Sequence, residues 1–349
     1  MPGTWYDSTE SHILLNHMRN IVIQISNYNR LKKNKIFDID IDPNLSVYVT
    51  LKDFLRAHGI SLFTPDMINS SETECAIYMN VPYPWDIESW KKIIRTKNNI
   101  LFAVEPQMIN PFNYSKILQM FFKKIYTWNT ALVDNEKYFQ YNIAQSNIGL
   151  DINTKPFTSK KFLTFVVGNK GLPLILSILV KMGIFSEKEL YNERLKALEY
   201  FENNIPENFD LYGKGWNKPK DSKKYKTYKG SVDNKIEVIS NYKFCLCFEN
   251  ATEMNGYITE KIFDCFKAKC IPTYWGASDI EKYIPKNCFI DFRVFGGYGE
   301  LILYLKNMKE EEYNRRIDSI EKLLLDQEFM RTWFEDGWVK DFSKKLGIL

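Results

Sequence analysis

Residues 242–276 limit what this chain can fold into more tightly than any other stretch. The run Tyr-Lys-Phe-Cys-Leu-Cys-Phe at 242–248 is short, apolar and bounded by polar residues, which is the pattern of a buried strand. After a polar loop, Ile258, Ile262, Phe263 and Phe266 recur at helical spacing, opposite Glu260, Lys261, Asp264 and Lys267. A second apolar run at 271–275 closes at Gly276. Strand, helix and strand in this order form a right-handed crossover unit of a parallel sheet. Such sheets bind ligands beyond the carboxyl ends of their strands, beside helix N-termini whose N–H groups attract phosphate. That edge carries Glu249, Asn250, Tyr257, Glu260 and Lys261, so an amide, a phenol, carboxylates and an ammonium share one rim. A nucleotide or sugar-phosphate suits that set. The same residues also read as a surface loop and an ordinary amphipathic helix.

The rest of the chain repeats the alternation. Strands are predicted at 20–26, 60–63, 75–79, 99–104 and 124–128, with helices at 45–58 (stopped by Gly59), 85–97 and 114–122. A polar stretch with one proline, 142–159, reads as a linker. A second series follows: strands at 161–167 and 209–212, a helix at 186–202 that carries Arg194, and a short helix at 235–240. A helical tail is predicted at 298–307, 309–325 and 328–345. We therefore expect an α/β chain of two Rossmann-like domains facing a cleft. The first is an acceptor-side domain at 1–150, and the second is a donor-side domain at 160–349 that includes the tail.

Charge and composition narrow the function. A net charge of +4 over 349 residues is weak support for an anionic ligand and gives no nucleic-acid platform. The lysines at 214, 218, 220, 223, 224, 226 and 229 lack an aromatic companion surface; they read as a solvated loop, or as a lid over a diphosphate or a patch against anionic lipid. Six cysteines lie mostly within predicted strands and helices, as small core hydrophobes do in a reducing compartment, and none forms a Cys-x-x-Cys pair. The Asp38-x-Asp40 triplet is the one hint of a metal signature, and alternating charge on a loop accounts for it more simply. No signal peptide is read at the start and no apolar run reaches a membrane-spanning length, so we expect a cytoplasmic protein, at most peripheral on the inner membrane face.

The runs at 242–250, Tyr-Ile-Thr-Glu-Lys at 257–261 and Ile-Pro-Thr-Tyr-Trp-Gly at 271–276 resemble the α1,3/4-fucosyltransferase family, in a bacterial-type form. Val-Val-Gly-Asn at 166–169, Arg194, Leu-Tyr-Gly-Lys-Gly at 211–215 and Tyr-Lys-Gly at 228–230 add to the likeness, which covers about 161–276. The 250–257 loop is one residue longer than the family pattern. The resemblance implies the GT-B architecture and transfer of L-fucose from GDP-fucose to N-acetylglucosamine in a glycan such as N-acetyllactosamine. It also implies an inverting single displacement without an obligatory metal or cofactor.

Residue by residue, the resemblance makes Glu105, at the end of a predicted buried strand, the base for the acceptor hydroxyl. Arg194 and Lys261 would meet the charge of the departing GDP. Asn250, Tyr257 and Glu260 would bind the donor, with Glu249, Lys214 and Asn169 as further candidates. A transferase using another GDP-hexose, and a nucleotide-sugar or glycan-binding protein without turnover, are the alternative readings.

Overall fold

The computed structural model describes residues 19–347 apart from 154, 172–176, 179, 181, 183–187 and 218–224. Four lysines of the basic loop (218, 220, 223, 224) and the first residues of the helix expected at 186–202 lie outside the described residues.

Six strands build the first sheet: β1 (Arg19–Ile25), β2 (Ile60–Phe63), β3 (Cys75–Met79), β4 (Asn99–Ala103), β5 (Lys124–Thr127) and β6 (Tyr138–Gln140), ordered β2-β1-β3-β4-β5-β6. Every pairing is parallel, with Ile23 opposite Ile77 and Ile77 opposite Ile100. The apolar runs are continuous because both faces are covered, as parallel sheets require. Helices α1 (Ser46–Ala57), α2 (Ile87–Arg95) and α3 (Lys116–Gln119) belong to this half. Gly59, at φ +73°, ends the first of them in the left-handed region. Strand β6 falls in a stretch with no sequence period to reveal it.

The second sheet has order β13-β12-β10-β7-β9, again parallel throughout. Its members are β7 (Lys161–Val166), β9 (Phe209–Tyr212), β10 (Tyr242–Phe248), β12 (Ile271–Trp275) and β13 (Ile290–Asp291). The crossover unit read from the sequence is β10, α6 (Glu260–Lys267) and β12, preceded by α4 (Tyr191–Asn204) and α5 (Lys235–Ile239). Strand order reverses between β7 and β10 here, and between β1 and β3 in the first sheet. Open sheets of this kind bind ligands at such points.

Three details depart from the sequence reading. The helix carrying Arg194 starts at Tyr191, because β8 (Lys188–Glu189) is held extended by antiparallel pairing with β11 (Ala251–Thr252). The tail helix expected at 328–345 is two helices. After α7 (Tyr298–Asn307) and α8 (Glu310–Leu325), α9 (Gln327–Trp333) stops at Phe334, which is extended at ψ 153°, and α10 (Glu335–Leu346) begins. The break is fixed by Gln145, whose N–H donates to Trp333 O (2.7 Å) and whose carbonyl accepts from Glu335 N (3.0 Å). The tail also divides between the halves. Trp338, Val339 and Phe342 of α10 pack with Leu51 and Leu55 of α1 in the core of the first sheet. Among the described residues no helix is long and apolar enough to cross a membrane.

Candidate functional site

Glu105 follows β4, one residue beyond Val104, and three asparagines hold that corner. Asn80, just past β3, lies in the left-handed region at φ +72°. Its Oδ1 accepts from Val104 N (3.0 Å), Glu105 N (2.8 Å) and the Nδ2 of Asn113 (2.8 Å). The same Asn113 amide donates to the Glu105 carbonyl (3.0 Å), while its Oδ1 accepts from Val81 N (2.8 Å). Asn110 Nδ2 donates to Val81 O (3.0 Å). Asn80, Asn110 and Asn113 are all buried, so these bonds are made away from competing water. The Glu105 backbone is thereby clamped; the residue is largely buried, and its carboxyl carries no hydrogen bond among the described residues. Burial pushes its pKa up; Lys261 and Lys170 pull it down, and Glu260 and Glu249 push it up, with a net rise.

Arg194, in the first turns of α4, is only 6% exposed. One amino group, Nη2, donates to Phe248 O (2.7 Å), at the end of β10, and to Asn250 Oδ1 (3.0 Å). Its Nε is buried without a partner, and the guanidinium lies 5.0 Å from the Tyr191 ring centroid. A buried cation with spare donors is costly unless an anion completes it.

At the start of α6, Glu249 is fully buried and acts as an acceptor hub. It takes Thr259 N (2.9 Å), the Thr259 hydroxyl (2.7 Å) and Lys261 Nζ (2.9 Å). Its role is to cap the helix and aim Lys261, which leaves Lys261 24% exposed toward the rim. Gly276 leaves room for this carboxylate: a Cβ there would sit 2.5 Å from Glu249 Cγ. Burial opposes the charge on Lys261, yet Glu249 and Glu260 outweigh it and raise its pKa. For Glu260, burial pushes upward, but Lys261 and Lys235 hold the carboxyl down to about 2. Lys235 lies 3.9 Å from Glu260 and 3.0 Å from Asp264. Asp264 and Lys267 were expected on the solvent face of α6, yet both are buried, because packing covers this helix on both sides.

Glu105 thus lies within electrostatic reach of Lys261, Glu260, Glu249 and Lys170, and Tyr191 feels both Glu105 and Arg194. The first sheet supplies one carboxyl, and the second supplies two cations and an acid. Asn250 joins them, accepting from Arg194 and donating to the Tyr257 hydroxyl (3.4 Å). The Tyr257 ring is buried against Trp128 of the first half, centroids 4.9 Å apart, so it seals the two halves instead of presenting a face to a ligand. Gly256, at φ +81°, allows this approach. Asn169 and Lys214 sit at the ends of β7 and β9. Asn169 N donates to Lys214 O (2.9 Å) and its side chain to Gly215 O (3.1 Å), which shapes the turn, while the Lys214 side chain is exposed. Of the basic loop, Lys229 is 3.3 Å from Asp210, and Gly213 N donates to Gly230 O, so its end is pinned along β9.

Sequence reasoning missed Asn80, Asn113, Lys170 and Tyr191. Asparagine just after a strand was the available signal for the first, since that residue tolerates the left-handed turn. Asp38 and Asp40 form a local turn, with Asp40 N donating to Asp38 Oδ1 (3.1 Å). Among the described residues no group of three or more His, Cys, Asp or Glu side chains is placed to hold a metal.

Two parallel Rossmann-like sheets whose strand ends face one another across these groups define the GT-B class of glycosyltransferase folds. The crystal structure of an alpha1,3-fucosyltransferase matches with TM-score 0.58 at 17% identity, over 95% of this chain and 91% of that one. A DNA-modifying beta-glucosyltransferase matches at TM-score 0.55 and 15% identity, over 95% and 100%. These likenesses are of fold.

Residues 180–317 match the model of glycosyltransferase family 10 (fucosyltransferase), C-terminal part. Arg194, Asn250, Tyr257, Glu260 and Lys261 all fall inside it. The chain is similar to an alpha-(1,3)-fucosyltransferase of Helicobacter pylori, 43% identical over 76 residues, which is 22% of this chain and 16% of the relative. It is also similar to an alpha-(1,4)-fucosyltransferase of Arabidopsis thaliana, 37% over 73 residues (21% and 18%). A third relative is the 4-galactosyl-N-acetylglucosaminide 3-alpha-L-fucosyltransferase 9 of Mus musculus, 36% over 115 residues (32% and 27%). The matched stretches thus span about a sixth to a quarter of these relatives' own length.

Proposed function

We propose that this chain transfers L-fucose from GDP-fucose to a hydroxyl of N-acetylglucosamine in a glycan such as N-acetyllactosamine, forming an α1,3 linkage. One observation carries the reading: an unpartnered carboxyl on the first sheet stands opposite a buried arginine with spare donors and a lysine at a helix start on the second. The match of 180–317 to a fucosyltransferase family model supports the choice of donor.

In this reading Glu105 accepts the proton of the acceptor hydroxyl, whose oxygen attacks the anomeric carbon of fucose. The bond from that carbon to the β-phosphate oxygen breaks, and its electron pair leaves with GDP. Arg194, Lys261 and the first N–H groups of α6 stabilise the charge that develops on the diphosphate. A single displacement inverts the anomeric centre, from β-linked donor to α-linked product. Glu260 and Asn250 are left to position sugar and ribose hydroxyls. No step calls for a metal, and the reaction is placed in the cytoplasm, with any membrane contact peripheral.

The test is product analysis by NMR after incubating the purified chain with GDP-fucose or GDP-mannose and N-acetyllactosamine in excess EDTA. Formation of an α1,3-fucosylated product from GDP-fucose is expected. Transfer from the other donor alone, or GDP binding without any turnover, would contradict the proposal.

A further inference from the structure

A crossover helix of a parallel sheet needs one apolar stripe, the one turned toward the strands. Helix α2 carries two. Ile93 is buried with Val22, Ala76 and Tyr78, strand residues that alternate with those facing α1 and α10 on the other side of the sheet. Ile87, Trp90 and Ile94, spaced three and four apart, form a second stripe on the outer side, with Ile87 64% and Ile94 68% exposed. Helix α3 and the turn after it repeat the pattern: Ile117 is 73% exposed, Met120 75% and Phe121 44%.

The two stripes join into one surface. The Trp90 and Phe121 rings meet edge-on, centroids 5.5 Å apart at 70°. Beneath them the buried Asn99 Nδ2 donates to Ile93 O (2.7 Å) and Thr96 O (3.0 Å) and lies 3.4 Å from Phe121 O. The surface is therefore set before any partner arrives, and apolar area of this kind marks an interaction face.

The charge around it selects the partner. Between residues 87 and 127 the chain has seven basic side chains and two acidic ones, against a net charge of +4 for all 349 residues. One acid, Glu88, is paired with Lys32 (2.9 Å), and the other, Glu105, belongs to the cleft. Lys91 and Arg95 flank the outer stripe of α2 and are exposed. Lys116 donates to the Tyr138 hydroxyl (2.9 Å) and Lys123 to Asn98 Oδ1 (2.5 Å), which places both beside α3. Six of the seven basic residues are lysine. Protein interfaces are enriched in arginine and depleted in lysine. A lipid headgroup layer takes lysine readily, with its stem along apolar surface and its ammonium at the phosphates.

We propose that the outer face of α2 and α3 docks the chain on an anionic phospholipid surface. Ile87, Ile94, Ile117, Met120 and Phe121 enter the headgroup layer, and the surrounding cations pair with lipid phosphates. This holds whichever sugar the cleft handles, so its failure would leave the transferase reading untouched.

The test is co-sedimentation of the full chain with vesicles of phosphatidylcholine, alone or mixed equally with phosphatidylglycerol, at rising salt. Sedimentation velocity of the chain without lipid accompanies it. Wild type is expected to bind the mixed vesicles, less tightly as salt rises, and to bind phosphatidylcholine poorly. Lys91→Gln with Arg95→Gln should weaken binding roughly 25-fold, about fivefold for each surface cation. Ile94→Ser with Ile117→Ser should weaken it at least about tenfold. All four side chains are exposed, so the melting curve should stay that of wild type. Leu303→Ser, 63% exposed on α7, should bind as wild type does.

Folded wild type that ignores the anionic vesicles overturns the proposal, as does full binding by either double variant. It also fails if wild type is a dimer in solution and Ile94→Ser with Ile117→Ser makes it a monomer, since the face would then belong to a second copy.

Discussion

Asn80→Ala should disable the corner that carries Glu105, and its cost can be worked from the geometry. The substitution deletes one buried oxygen that receives three N–H groups, from Val104, Glu105 and Asn113. At about 1 kcal/mol net for each hydrogen bond the loss is about 3 kcal/mol. Alanine at φ +72° adds about 1 kcal/mol or slightly more. A total of about 4 kcal/mol is a large part of the roughly 5–15 kcal/mol that holds a domain folded. Urea unfolding should therefore show an earlier transition for the first sheet, and transfer should fall with it.

Asn80→Asp separates position from stability. It keeps an acceptor oxygen and tolerates the left-handed turn, but it adds a negative charge beside Glu105. As the proposed base, Glu105 would work only when deprotonated, so activity should rise with pH through its raised pKa. An added anion should move the acid limb of kcat/KM upward, on the order of one pH unit, while the fold persists. A loss below about 1 kcal/mol for Asn80→Ala, together with an unmoved limb for Asn80→Asp, would refute this account of the corner.

Other outcomes follow from the same geometry. Glu105→Gln should lower turnover by roughly 100-fold or more while circular dichroism and the melting curve stay those of wild type. Glu260, held down to about 2 against an ordinary value of 4.5, contributes stability that is complete above 4.5 and lost as pH falls toward 2. The melting temperature of Glu260→Gln should therefore approach that of wild type on acidification over this range, and a gap independent of pH would argue against it. Gly256→Ala would place a methyl 2.4 Å from the Trp128 carbonyl at φ +81°. It should destabilise by about 2–4 kcal/mol, read by denaturant unfolding.

The second sheet was readable because its strands are short apolar runs buried on both faces, and its central crossover shows two periods in sequence. The first sheet read almost as well for the same reason. What escaped was set by tertiary contact. Strands β6 and β13 are too short to display alternation, and the break at Phe334 exists because Gln145 bonds across it. Asp264 and Lys267 have the composition of a solvent face, but the pairing of Asp264 with Lys235 and the cover on both sides of α6 bury them. The local pattern showed neither Glu249 as a helix cap nor the Tyr257 ring as a seal. It placed Glu105 at a strand end, but the asparagines that clamp it looked like ordinary turn residues.

The central proposal is that Arg194 and Lys261, with the first N–H groups of α6, bind the diphosphate without a metal. Calorimetric titration of GDP in excess EDTA tests it most directly, with wild type, Arg194→Ala and Lys261→Met compared. The account predicts binding by wild type in EDTA and at least about tenfold weaker binding for each variant. Binding that vanishes in EDTA and returns with manganese, or that ignores both substitutions, would contradict it.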